Sequence, residues 1–80
     1  MHHVITLRGV GIGGRAQAVR QKTLLQNYNY ESGHSYEVAL AGGQNRVYSK
    51  LLTELGFECK MVSTNPNTGN RIEGWFKSVQ

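Results

Sequence analysis

The chain is short of several things. It has one cysteine and one proline in 80 residues, and no apolar run approaches the roughly 18 residues that a membrane span needs. A lone Cys59 excludes an internal disulfide, and its place between Phe57 and Met61 on an alternating segment predicts a small buried hydrophobe, not a nucleophile. No cluster of Cys, His and acidic residues has metal-ligand spacing, and no paired carboxylates or oxyanion loop can be argued, so neither a metal, a cofactor nor catalysis is expected. His34 has Glu31, Ser35 and Glu37 near it, but such local neighbours are common. The opening MHHVITLRGV lacks the basic lead and sustained apolar middle of a signal peptide. The expected compartment is therefore the cytoplasm, or the host cytoplasm were the chain phage-encoded.

What is present reads as one globular domain. Hydrophobic residues make up 39% and charged residues 18%, too apolar for a disordered chain. A chain of this size buries only about 60 to 65% of the surface its unfolded form exposes, so its core is thin and a homodimer or a partner is a natural way to complete it.

Gln44 to Val62 is the most legible stretch. Val47, Tyr48, Leu51, Leu52 and Leu55 recur with helical period, while Arg46, Ser49, Lys50, Thr53 and Glu54 fill the opposite face. Gly56 suits the left-handed position past the last turn, with Phe57 reaching back onto Leu52. From Phe57 to Val62 the alternation is that of a strand.

Upstream, Val4 to Val10 reads as a first strand, preceded by His2 and His3 as a frayed terminus. Gly9, Gly11 and Gly14 have the spacing of a dinucleotide loop, but a chain this short lacks the domain that motif requires. The glycines more simply make a flexible connection; alternatively their amides, with Arg15 and the start of a helix, hold one phosphate. Arg15 to about Gln26 suits a helix by propensity, with a ragged apolar stripe; a rival reading makes Thr23 to Tyr30 a strand. Asn27 to His34 is then loop, and Ser35 to Leu40 a strand in which Tyr36, Val38 and Leu40 alternate with Glu37 and Ala39. STNPNTGN, residues 63–70, is turn chemistry throughout, and a last strand runs from Arg71 to Val79.

The expected fold is a single α+β domain over residues 1–80: about four strands, mostly antiparallel, with one or two helices packed on them and a C-terminal β-hairpin. On that hairpin Ile72 and Phe76 share one face, and Arg71, Glu73, Trp75 and Lys77 the other. If the first face is buried, Trp75 stands outward beside Arg71 and Lys77, with Lys60 on the neighbouring strand. If a bulge at Gly74 turns it, Trp75 joins the core.

Nine Lys and Arg against five acidic residues give a net charge of +4, which favours acidic partners. The sequence therefore suggests a small non-enzymatic module that binds RNA or DNA, using Arg15, Lys60, Arg71 and Lys77 for phosphates and Trp75, Tyr28 and Tyr30 for bases. The alternative is an inhibitor or adaptor, such as a phage or mobile-element protein docking on a host protein complex, for which an exposed tryptophan ringed by cations serves equally well.

Overall fold

A computed structural model describes residues 1–7 and 14–80, with side chains of the first helix described from Ala16 onward. The order of elements is β1 (His2–Ile5), α1 (Gly14–Asn27), β2 (Ser35–Ala41), α2 (Gln44–Glu54), β3 (Glu58–Thr64) and β4 (Arg71–Ser78). They form one four-stranded mixed sheet in the order β1-β2-β4-β3, with β1 parallel to β2 and the other two pairings antiparallel. The expected α+β domain with its C-terminal hairpin is what the chain forms. Among the described residues no helix is long and apolar enough to cross a membrane.

β2 organises the core because its alternation is clean. Tyr36, Val38 and Leu40 are buried on one face, where Leu25 of α1, Tyr48 and Leu52 of α2, Phe57 and Trp75 join them. Both helices serve that face. Gln21 of α1 donates to the Tyr48 hydroxyl at 3.0 Å, a polar link between helices under a cover of apolar side chains. The helix reading of residues 15–26 holds, whereas no strand forms at 23–30.

α2 ends as its sequence predicts. Gly56 has φ 93°, its N–H reaches the Thr53 carbonyl at 3.1 Å, and the Phe57 N–H reaches the Leu52 carbonyl at 2.8 Å. Those two bonds are the Schellman pattern, and Phe57 follows Leu52 into the core. The turn expected at 63–70 starts two residues later, because Ser63 and Thr64 extend β3 in register with Ile72 and Arg71; it is closed by Asn65, which accepts at its backbone from the Gly69 N–H and at Oδ1 from the Asn67 N–H, with Gly69 at φ 73°.

Two expectations fail in instructive ways, and a third is decided between its alternatives. β1 begins two residues earlier than Val4 and ends at Ile5; His2 and His3 are not frayed but paired in register with Ser35 and Tyr36. The His2 ring bridges Ser35 Oγ at 2.8 Å and Glu37 Oε1 at 2.9 Å, and the His3 ring stacks on Tyr36. Second, Cys59 is exposed, as is every residue of β3, because β3 lies at the sheet edge beyond the reach of both helices. Third, β4 takes the inward alternative for Trp75, and does so without a bulge at Gly74: Trp75 pairs with Val38 in the core and Phe76 pairs with Glu37 on the uncovered side. The irregularity in the hairpin falls in β3, where Lys60 is the extra residue between Cys59 and Met61.

Candidate nucleic-acid interface

α1 is built from Ala, Gln, Arg, Lys and Leu, residues that lose little rotamer freedom in a helix, so it forms despite its weak stripe. It holds no acidic residue. Gln21 and Leu25 face the core, which leaves Arg20 exposed on one flank and Lys22 half-buried on the other. In α2, Gln44, Tyr48 and Leu52 face inward, so Arg46 and Lys50, one turn apart, stand outward together. Between the helices runs a shallow groove of about 300 Å³, lined by Lys22 and Gln26 on one side and by Val47, Lys50, Leu51 and Glu54 on the other. Lys22 and Lys50 thus border it from the two helices, with Glu54 on the same lining.

Charge is divided between the layers. The two helices carry Arg15, Arg20, Lys22, Arg46 and Lys50 against Glu54 alone, a net +4. Among the described residues outside the helices, Lys60, Arg71 and Lys77 stand against Glu31, Glu37, Glu58 and Glu73, a net of −1, and Arg8 lies outside the described residues. The helical layer thus carries a charge equal to the positive excess of the whole chain, and its like charges with one acid among them produce a field that attracts phosphates.

The hairpin platform expected around Trp75 does not assemble. Trp75 is 8% exposed, and its Nε1–H donates to Glu73 Oε1 at 3.0 Å. The other Glu73 oxygen takes the Arg71 Nε–H at 2.8 Å, so the Arg71 charge is partnered on the surface. Lys77 is half-buried: its ammonium donates to the Leu55 carbonyl at the end of α2 and sits 5.1 Å from the centre of the Tyr30 ring. Lys60 is exposed, 3.9 Å from Glu58. Arg15 is in the first turn of α1 and its side chain lies outside the described residues, as do Gly9 and Gly11 of the glycine loop.

Tyr28 and Tyr30 are packing residues. Both meet Tyr36 edge-on, at 5.7 and 5.0 Å between ring centres, and the Tyr30 hydroxyl donates to the Leu25 carbonyl at 2.6 Å. Burial, with Tyr28 and then Tyr36 adding to it, pushes the Tyr30 phenol up to about 12. The Tyr48 phenol is also raised by burial, against an opposing pull from the Gln21 amide. The Tyr36 hydroxyl accepts from the Glu31 N–H and donates to the Asn29 carbonyl, which folds the loop over this cluster.

The histidines assemble nearby. His3 Nε2 is 2.9 Å from His34 Nδ1, and His34 Nε2 is 3.5 Å from Glu31 Oε2. Among the described residues no group of three or more His, Cys, Asp or Glu is placed to hold a metal ion.

Arg20, Lys22, Arg46 and Lys50 are not among the cations that the sequence pattern singles out. The signal was there: once 15–26 and 44–54 are taken as helices, five of nine cations and one of five acids fall on them. Comparison with known proteins finds no matching family, no similar curated protein and no similar solved structure.

Proposed function

We propose that this chain is a small non-enzymatic module that binds nucleic acid through its helical layer, with Arg20, Lys22, Arg46 and Lys50 contacting backbone phosphates. The observation that carries the reading is the charge division: α1 and α2 carry a net +4, equal to the excess of the whole chain, and Lys22 and Lys50 border one groove from the two helices. Phosphate contacts of this kind supply affinity without base identity, and they release counterions as they form. Trp75 belongs to the core and Tyr28 and Tyr30 pack against it, so stacking on bases has no part in this reading.

The test is a titration against labelled single-stranded and duplex RNA and DNA at several salt concentrations. Binding should weaken steeply with salt, and the Lys22→Ala/Lys50→Ala double variant should flatten the slope of log affinity against log salt by about two units. Absence of binding at low salt, or a slope unchanged in the double variant, would reject the proposal.

A further inference from the structure

Among the described residues no element covers the face of the sheet turned away from the helices, and its register places side chains in short rows. One row crosses three strands as Met61, Gly74 and Ala39; the next runs Glu58, Phe76, Glu37 and Val4. Val4 is 64% exposed and Met61 61%, while Phe76 is half-buried although no helix lies over it. Gly74 explains the shape. A Cβ there would meet the Met61 Cβ at 3.2 Å and the Phe76 ring at 3.2 Å, so both side chains lean across the glycine and make a shallow apolar strip.

Phe76 stands between two carboxylates. Strands lie about 4.8 Å apart, which sets the backbones of Glu58 and Glu37 roughly 10 Å from each other on either side of Phe76, whose ring leans toward Gly74. Their present partners are weak or conditional: Glu58 has Lys60 at 3.9 Å on an open surface, and Glu37 has His2, which carries charge only when protonated. An aromatic ring flanked by carboxylates suits a cation above it, through the ring quadrupole and the two charges together. The same carboxylates repel phosphate, so the chemistry of this face is opposite to that of the helical layer.

We propose that the uncovered sheet face docks a cationic, apolar segment of a partner protein, with an Arg or Lys head over Phe76 between Glu37 and Glu58 and apolar side chains along Met61, Gly74 and Ala39. Charge complementarity selects this occupant over nucleic acid. The site is independent of phosphate binding on the opposite layer, and either can fail without the other.

The experiment titrates isotope-labelled protein with a synthetic peptide alternating Arg and Val, with a Glu and Val peptide as the control. Amide shifts should be confined to β2, β4 and β3 with the Arg peptide and absent with the control. The Glu37→Gln/Glu58→Gln variant should weaken binding about tenfold, and Phe76→Leu, which keeps apolar volume but removes the ring, should weaken it too. Shifts on α1 and α2 instead, no shifts at millimolar peptide, or undiminished binding by the double variant would overturn the proposal. So would a concentration-dependent dimer in sedimentation whose shifts fall on this face without peptide, since the occupant would then be a second copy. Duplex DNA moving these amides rather than those of the helices would overturn it as well.

Discussion

Gly56 shows how much one residue can carry. Its φ of 93° is costly for any side chain, and a Cβ there would come within 3.0 Å of the Lys77 ammonium, which reaches in to bond the Leu55 carbonyl. Gly56→Ala therefore disturbs the helix cap and the lysine that supports it. It should destabilise by about 1 kcal/mol, and more where Lys77 cannot move. Urea midpoints read this directly, and equal midpoints for the two proteins would remove the cap from the account. Tyr30 gives a second test. Its phenol rises from 10.0 to about 12 because burial disfavours the phenolate. The folded state thus holds this proton more tightly than the unfolded chain does. The stabilisation is complete below pH 10 and is lost as the pH rises from 10 toward 12. Ultraviolet phenolate titration should find a tyrosine ionising late, with unfolding setting in as it ionises; a Tyr30→Phe variant titrating identically would contradict the assignment.

At the scale of the element, the contrast between β2 and β3 is the lesson. Both alternate in sequence, yet β2 is central and buries Tyr36, Val38 and Leu40, whereas β3 is at the edge and buries nothing. An alternating pattern states which residues share a face; whether that face is covered depends on what packs against it. Cys59 follows from this. It lies on the same side as Trp75 but past the end of the helical cover, and it should react with a thiol reagent in the native protein at nearly the rate of a peptide thiol. Strong native-state protection would mean that something covers the edge. β3 also carries two features that discourage edge pairing, the extra residue at Lys60 and the lysine charge itself.

For the whole molecule the central fact is its two-sidedness. Helices carry the positive excess on one side, and a sheet face with Glu37 and Glu58 is open on the other. Cations outside the helices should matter little to phosphate binding, since Lys60 and Arg71 stand on β3 and β4, off the helical layer. Lys60→Ala and Arg71→Ala should leave the salt slope of nucleic-acid binding as it is, in contrast to the groove lysines. A slope reduced equally by all four substitutions would show diffuse attraction and no helical interface.

The sequence by itself determined the class of fold, the span and cap of α2, the existence of α1, the strand at β2 and the existence of the turn between β3 and β4, though not its first residue. Each of those is set locally, by a hydrophobic period, by a glycine needing positive φ or by the propensity of contiguous residues. Tertiary structure alone decided which face of β4 turns inward. Arg71, Glu73, Trp75 and Lys77 share a side in any reading, but only pairing with β2 puts Trp75 beside Val38 and makes that side the core. It also decided that His2 and His3 form a strand, since their order comes from Ser35, Glu37 and Tyr36, more than thirty residues away. The candidate interface is of the same kind. The charges of α1 and α2 become one surface only because both helices pack on the same face of the sheet, a fact of long-range contact that local pattern does not contain.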